Sequence, residues 1–239
     1  MSKKAQNHLG LFAKFWQPGR VKTRLAVSIG DEKACDLYFA FLNHLLRKLR
    51  AVGTDRRLVY SPPERETSFR EILPDSWGLY PQSTGGLGTR MHSFFSDQFE
   101  LARSPGQSVR KVVIIGADCP QIKSASVEQA FEDLDHSSVV IGPSVDGGYY
   151  LLGMRETCFD IFTEIEWSTP TVLSSTIAHL ERQKIDFAML DPLEDVDELN
   201  SLLALEEKMA SDIQIQPSLA DEKETKLLEE IRFALGRSG

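Results

Sequence analysis

Short apolar runs alternate along this chain with longer amphipathic segments. The apolar runs predict β-strands at residues 8–15, 56–61, 77–82, 111–117, 138–144, 149–154 and 186–191. Helical periodicity predicts helices at residues 31–50, 87–102, 124–134, 170–183, 197–209 and 221–235. Because strands and helices alternate, we predict an α/β fold of three layers (α/β/α), in which helices cover both faces of a mostly parallel central sheet.

The boundaries of the predicted elements suggest one domain over residues 1–239. The apolar pattern is lost over residues 211–220 and returns as a charged amphipathic helix, so residues 211–239 are interpreted as a C-terminal helical extension that packs on or caps the domain. Near the other terminus, Asp31 is predicted to be the N-cap of the helix over residues 31–50.

The predicted strand at residues 111–117 is followed by an acid. Its run "VVII" is apolar on both faces, which is typical of a central strand. Asp118 follows directly, at the carboxyl end of the strand, where open α/β sheets bind their ligands. A capping or turn residue would occupy the same position, so the role of Asp118 depends on the rest of the chain.

A basic loop follows the first predicted strand. The segment "AKFWQPGRVKTRLA" (residues 13–26) contains a proline and glycine turn followed by cations at every second position, Arg20, Lys22 and Arg24. Such a loop can hold phosphate groups. It is not a Walker A motif, because Val21 and not a glycine precedes Lys22. A solvated basic turn is the alternative interpretation.

A glycine-rich segment, "QSTGGLGTRM" (residues 82–91), comes close to a dinucleotide-binding fingerprint. It departs from that fingerprint at Met91, where a third glycine or alanine is needed, and it follows the third predicted strand instead of the first. What it does predict is a strand-to-helix turn that a ligand can approach closely. A turn with a purely structural role would have the same composition.

A second acid follows a neighbouring predicted strand. Asp146 lies in "GPSVDGGYYLLG" (residues 142–153) and precedes two glycines, so it could share a site with Asp118 or simply form a β-turn. Carboxylate oxygens suit Mg²⁺ or Mn²⁺, which usually bind one or two carboxylates together with substrate phosphates.

A late acidic segment, "PLEDVDELN" (residues 192–200), precedes a predicted helix. Asp195 is predicted to be its N-cap, with Glu198 completing an arrangement like a capping box. Asp197 is not explained by capping, which makes it a candidate second metal ligand.

Composition narrows the possible partners and location. A net charge of −8 argues against a nucleic-acid duplex as the main partner. The cysteines Cys35, Cys119 and Cys158 have no paired spacing, which indicates neither a zinc site nor a disulfide framework and favours the cytoplasm. The N-terminal run "LGLFA" is too short for a signal sequence or a membrane span. Without a GxSxG motif a triad hydrolase is disfavoured, and the scattered histidines form no HExxH pair.

Together these segments resemble a known group, the small bacterial transferases of the nucleotide-diphospho-sugar transferase superfamily. These have a GT-A type fold and are related to molybdopterin-cofactor and phospholactate nucleotidyltransferases. The resemblance spans roughly residues 9–205 and rests on "FAKFWQPGRVKTRLA", "GGLGTRM", "GADCP", "GPSVDGGYYLLG", "EIEWSTPTVLSST" and "DVDELNSL" in this order. Gly86 departs from the family pattern, which has an acid there, and the late segment departs from the family's DVDTPEDL.

The resemblance implies a role for each matching position. Phosphates of the nucleotide would contact Lys14, Arg20, Lys22 and Arg24, and the base pocket would be lined by Gln82, Gly85, Gly86 and Gly88. Asp118 and Asp197 would hold Mg²⁺ or Mn²⁺, and Asp146 would face the acceptor. Asp118, Asp146 and Lys22 are then the predicted catalytic residues.

The implied activity is metal-dependent transfer from a nucleotide-activated donor, preferably a sugar nucleotide, to a small-molecule acceptor. One alternative is nucleotidyl transfer, in which an NTP reacts and pyrophosphate leaves. A second alternative is a non-catalytic nucleotide-binding protein that has the same fold.

Overall fold

The middle layer of the protein is a single mixed sheet. The structure is a computed structural model and describes residues 6–101, 109–215 and 222–237. Within these ranges the strands are β1 (Gln6–Lys14), β2 (Asp55–Ser61), β3 (Gly78–Pro81), β4 (Val109–Gly116), β5 (Val139–Pro143), β6 (Tyr149–Arg155) and β7 (Phe187–Met189). Their order across the sheet is β3-β2-β1-β4-β6-β5-β7. The predicted central position of the "VVII" strand, β4, is confirmed.

Helices follow most of the strands. They are α1 (Thr23–Ile29), α2 (Asp31–Lys48), α3 (Glu66–Ile72), α4 (Leu87–Leu101), α5 (Ser124–Asp133), α6 (Val172–Gln183), α7 (Leu199–Ile215) and α8 (Glu222–Ala234), with a 3₁₀ helix at Pro63–Arg65. In the described part of the chain, no helix is long and apolar enough to cross a membrane.

The two faces of the sheet are covered by different helices. On one face, Val113 and Ile115 of β4 belong to an apolar cluster that includes Leu45 of α2 and Phe131 of α5. On the other face, the alternate residues of β4 belong to a cluster that contains side chains of α4 and α6; its members include Val112, Ile114, Phe94, Phe95 and Leu180. The predicted three-layer α/β/α class is therefore confirmed.

Strand β6 is antiparallel to both of its neighbours, and all other pairings are parallel. The connection from β5 to β6 spans only residues 144–148, which is too short for the crossover that parallel neighbours need. This hairpin places Asp146 at the edge of the sheet where β4 and β5 end. Asp118 follows β4 at that same edge, so the two acids have the relative placement that the sequence predicted.

The start of α2 differs from the prediction by one residue. Gly30 is the N-cap, and its φ of 90° and ψ of 154° are strained for residues with a side chain. Asp31 is therefore the first helical residue, and the prediction that it caps the helix is wrong. Its negative charge in the first turn still interacts favourably with the positive end of the helix dipole.

The C-terminal helices differ from the predicted pattern in length. Helix α7 continues to Ile215, beyond the predicted end at residue 209 and into the predicted break, and residues 216–220 of that break lie outside the described residues. Helix α8 contributes Ile231 to a third apolar cluster, which also contains Leu25 of α1, Phe41 of α2 and Leu202 of α7. Packing of this kind is what a capping helix requires.

Candidate functional site

Five chain segments with polar or glycine residues meet at one edge of the sheet. They follow β1, β3, β4, β5 and β7, which all run in the same direction and so end at the same edge. The segments are the basic loop, the glycine-rich turn, the loop with Asp118, the hairpin with Asp146 and the late acidic segment. This edge is where open α/β sheets bind ligands.

Lys22 connects the two acids that were predicted to bind a metal. Its Nζ lies 2.6 Å from Oδ1 of Asp118 and 2.9 Å from Oδ1 of Asp197. The lysine side chain is only 1% exposed, whereas the side chains of Asp118 and Asp197 are 51% and 40% exposed. Lys22 is therefore not a solvent-facing member of the basic loop, as its neighbours Arg20 and Arg24 are.

The environment of Lys22 keeps its ammonium group charged. Burial by itself lowers the pKa of a lysine, but the nearby carboxylates of Asp118 and Asp197 outweigh this effect, and the pKa of Lys22 is raised. A positive charge thus lies between the two carboxylates. The backbone of Lys22 has φ 48° and ψ 41°, a left-handed conformation at the start of α1 that is uncommon for lysine.

The pair Asp118 and Asp197 fits a hard divalent ion. Both carboxylates converge on a single cation, and oxygen is the ligand that Mg²⁺ and Mn²⁺ prefer. Among the described residues, no group of three or more His, Cys, Asp or Glu side chains could hold a metal ion. An ion held by these two residues would thus need further ligands, and Mg²⁺ usually takes these from water and substrate phosphates.

Backbone hydrogen bonds place the late acidic segment beside Asp118. The amide of Val196 donates to the carbonyl oxygen of Asp118 at 3.3 Å, which sets the neighbouring Asp197 next to that acid. The segment is also tied to the end of β5, because the amide of Leu193 donates to the carbonyl of Pro143 at 3.0 Å. Asp197 is therefore positioned by contacts that no local sequence pattern reveals.

Asp195 has a different role from the predicted one. Helix α7 begins at Leu199, so Asp195 is too far from its first turn to be the N-cap, and the predicted capping box is wrong. Its Oδ1 instead accepts hydrogen bonds from Cys119 Sγ at 2.7 Å and Ser144 Oγ at 2.9 Å. A carboxylate that loses solvent must find such donors, and here they come from the loops after β4 and β5.

Burial is the largest influence on the pKa values of Asp195 and Cys119. It raises the pKa of Asp195, with a smaller contribution from the charges of Asp146 and Asp118, while the hydrogen bonds from Cys119 and Ser144 act in the opposite direction. Burial also raises the pKa of the Cys119 thiol well above its usual value. Cys119 therefore acts as a hydrogen-bond donor that links the β4 loop to the late acidic segment.

The other cations of the basic loop are available for an anionic ligand. Lys14, Arg20 and Arg24 are all exposed, and within the described ranges none of the three side chains forms an ion pair. The base of the loop is fixed, because the amide of Lys14 donates to the hydroxyl of Tyr38 at 2.8 Å.

Gln82 is buried and supports the glycine-rich turn. Its Nε2 donates to the carbonyl oxygens of Val59 at 2.8 Å and Ala13 at 3.2 Å, and its Oε1 accepts from Arg90 Nη1 at 3.3 Å. Arg90 also donates from Nε to the carbonyl of Gly85 at 2.8 Å. The amide of Gln82 thus ties β1 and β2 to the turn. The sequence did not point to Arg90, because nothing in the segment distinguishes an arginine that supports a turn from one that lies in solvent.

Two of the three glycines in this turn are required by the structure, for different reasons. Gly85 has φ 105°, which favours glycine, whereas Gly86 is exposed and has open space around it. Gly88 is buried against the indole of Trp167, and a Cβ there would lie 2.6 Å from the nearest ring atom. Trp167 belongs to the "EWST" segment, which was part of the resemblance but was assigned no role.

Asp146 lies in the turn between β5 and β6. Its side chain is exposed, and Oδ1 accepts a hydrogen bond from the amide of Gly148 at 3.0 Å. The turn is anchored to the start of α6, because the amide of Leu173 donates to the carbonyl of Gly147 at 2.8 Å. The β-turn interpretation of Asp146 is thus correct for its backbone, while its carboxylate still faces solvent at the site.

Residues 45–169, more than half of the chain, match a family described as "Uncharacterized protein conserved in bacteria (DUF2064)". The chain belongs to this family. No curated protein matches the sequence.

Solved structures relate the chain to transferases. A Desulfovibrio desulfuricans G20 protein, provisionally assigned as a nucleotide-diphospho-sugar transferase, is 27% identical, with a TM-score of 0.83 and 98% of each chain covered. A cytidylyltransferase from Leptospira borgpetersenii serovar Hardjo-bovis is 11% identical, with a TM-score of 0.54 over 98% of this chain and 96% of its own.

A third structure is that of CMP:2-keto-3-deoxy-manno-octonic acid synthetase complexed with CTP. It is 11% identical, with a TM-score of 0.54 over 87% of this chain and 100% of its own. At that identity the two cytidylyltransferase likenesses show the fold alone. The first structure, at 27% identity, confirms the prediction of a transferase of the nucleotide-diphospho-sugar transferase superfamily.

Proposed function

We propose that this protein is a metal-dependent transferase that uses a nucleotide-diphospho-sugar as its donor and a small molecule as its acceptor. One observation carries the proposal: Asp118 and Asp197 share a single cation position beside a loop with three exposed cations, at the ligand-binding edge of the sheet. A nucleoside diphosphate with its metal needs carboxylates that bind the metal and, next to them, basic side chains that bind the phosphates.

Each part of the edge has a task in this proposal. Lys14, Arg20 and Arg24 bind the diphosphate, and the backbone of the glycine-rich turn lets the nucleoside approach closely. Asp118 and Asp197 hold Mg²⁺ or Mn²⁺, and the bound ion neutralises charge on the diphosphate as it leaves. The exposed carboxylate of Asp146 faces the acceptor and accepts a proton from it.

Nucleotidyl transfer with release of pyrophosphate is the second candidate. It is favoured by the charge of the basic loop, because three exposed cations that form no ion pairs within the described ranges suit a triphosphate as well as a diphosphate. The released product separates the two reactions. A nucleoside diphosphate supports sugar transfer, and pyrophosphate supports nucleotidyl transfer.

A thermal-shift panel of sugar nucleotides and NTPs, each with and without Mg²⁺ or Mn²⁺, tests the donor and the metal together. A ligand at 100 times its dissociation constant adds about 2.7 kcal/mol, which corresponds to a rise in melting temperature of about 5–10 °C for a chain of this size. We expect a metal-dependent shift that the Asp118→Asn variant loses. Nucleotide binding that is indifferent to the metal would instead support the non-catalytic alternative.

A further inference from the structure

We propose that the ammonium group of Lys22 is the resting occupant of the cation position between Asp118 and Asp197, and that the divalent ion binds there by displacing it. This inference rests on the proposed function, because the ion is the one that the transferase would use. It assigns to Lys22 a task in the metal-free protein, namely to hold the two acids in place and to lower their affinity for the metal.

The first argument is geometric. A single nitrogen contacts Oδ1 of both acids, at 2.6 Å and 2.9 Å, and also lies 3.5 Å from the carbonyl oxygen of Asp118. The lysine lies on the inner side of the pair, whereas the acids are half exposed on the outer side. An ion that approaches from solvent thus meets two carboxylates whose converging oxygens already contact a cation.

The second argument concerns charge. With Lys22 in place, the two carboxylates and the ammonium carry a net charge of about −1, and without it the pair carries about −2. A divalent ion is attracted more strongly by the second arrangement, and it is repelled by an ammonium group at such short range. Lys22 must therefore weaken metal binding for as long as its ammonium stays between the acids.

The third argument is the backbone of Lys22, which provides a way for the side chain to leave. Lys22 is held in a left-handed conformation with φ 48°, and the preceding turn contains Gly19 with φ 72°. Residues 17–20 of this turn are exposed, so its rearrangement is opposed mainly by the burial of Val21 and of Lys22 itself. A strained residue that is held by its partners relaxes when those partners take another cation. The freed ammonium then joins Lys14, Arg20 and Arg24 at the phosphates.

Direct measurement of Mn²⁺ binding to the full chain, without nucleotide, tests the displacement. Binding is followed by the electron paramagnetic resonance signal of free Mn²⁺ in the wild type and in the Lys22→Met, Lys14→Met and Asp118→Asn variants. We expect Lys22→Met to bind Mn²⁺ about tenfold tighter than the wild type, because one positive charge in direct contact with the ligands is gone. Lys14→Met removes an exposed charge from the same loop, so we expect a change of less than about twofold.

Melting temperatures provide a second readout. Without metal, Lys22→Met should melt below the wild type, because two facing carboxylates lose their counter-ion, and Mn²⁺ should raise its melting temperature more than that of the wild type. Lys22→Gln has no charge but keeps hydrogen-bond donors to the two acids, so it covers the case in which Lys22→Met does not fold, and we expect it to bind Mn²⁺ more tightly than the wild type as well. Lys22→Arg keeps the charge and controls for loss of the side chain, and we expect its affinity for Mn²⁺ to stay within about threefold of the wild type.

The outcomes separate this inference from the proposed function. If Lys22→Met binds Mn²⁺ as the wild type does, or more weakly, while Asp118→Asn loses binding, the metal site stands and the displacement by Lys22 is wrong. If neither the wild type nor Lys22→Met binds Mn²⁺ without nucleotide, the displacement is refuted, and the metal-dependent function is refuted as well only if Mn²⁺ and Mg²⁺ also leave nucleotide binding unchanged in the thermal-shift panel. If Lys22→Arg binds as tightly as Lys22→Met, the effect does not come from charge and the displacement is refuted.

Discussion

Replacing Gly88 by alanine should destabilise the protein through a single clash. The added Cβ would lie 2.6, 2.7 and 2.8 Å from three ring atoms of Trp167. Ordinary carbon contacts are about 3.5–4.0 Å, so the ring or the start of α4 must move by about 1 Å. The ring cannot move freely, because it stacks on Phe162 at a centroid distance of 6.5 Å and meets Tyr149 edge-on at 6.5 Å.

The expected cost follows from these contacts. Overpacking of this kind costs about 1–3 kcal/mol, and alanine in place of glycine in a helix returns up to about 1 kcal/mol. The net loss of about 1–2 kcal/mol should lower the melting temperature by about 2–8 °C for a chain of this length. Differential scanning calorimetry or fluorescence against temperature measures it.

Gly86→Ala is the matched control, because it lies two residues away in the same turn and an added Cβ meets nothing within 4 Å. Its melting temperature should stay within about 2 °C of the wild type or rise slightly. The double variant Gly88→Ala with Trp167→Ala tests the cause. If Gly88→Ala costs as much in the Trp167→Ala background as in the wild type, the clash with the indole is not the reason and the explanation fails.

Three further predictions concern the site and the pH dependence of stability. Asp118→Asn should fold but melt below the wild type, because the buried ammonium of Lys22 loses one of its two carboxylates, and it should lower turnover by about a hundredfold or more, because the amide loses the charge that holds the cation; normal turnover at limiting Mg²⁺ would contradict the metal assignment. Arg20→Ala should weaken the binding of nucleoside di- and triphosphates in calorimetry far more than that of the nucleoside, and an equal loss for both would show that Arg20 does not meet phosphate. Burial lowers the pKa of His8, whose Nδ1 lies 2.8 Å from Gln98 Oε1, so the unfolded chain binds the proton more tightly. Wild-type stability should then fall as the pH drops below about 6.5, more steeply than that of His8→Gln, and parallel melting curves from pH 7.5 to 5 would argue against this.

The fold was largely predictable from the sequence because its signals are local. Each strand of the structure corresponds to an apolar run, and even the short strands β3 and β7 were found, since aromatic and apolar residues fill them. Helices α1 and α3 were missed, because each has only seven residues, about two turns, which is too short to show a helical apolar period. Asp31 was assigned as a cap since its residue type suits that position, whereas the backbone at Gly30 decides where the helix starts.

The site was predictable in its residues but not in their contacts. The partners of Lys22 are 96 and 175 residues away along the chain, and no spacing rule connects them. The capping-box pattern at Asp195 fitted the local sequence, but the donors that this carboxylate takes, Cys119 and Ser144, come from loops 76 and 51 residues away. Burial outweighs the local preference of Asp195 for an N-cap position. A carboxylate that is removed from water needs hydrogen-bond donors, and these can come from any part of the chain.

The order of the strands also bears on how the protein behaves at high concentration. The two outer strands are β3, with four residues and a proline at its end, and β7, with three residues, whereas the long strands β1 and β4 lie inside. An outer strand exposes unpaired amides and carbonyls that can recruit another chain, and a short or proline-ended one offers few of them. We therefore expect molecules of this protein to resist edge-to-edge association, despite the apolar strands at the centre of the sheet.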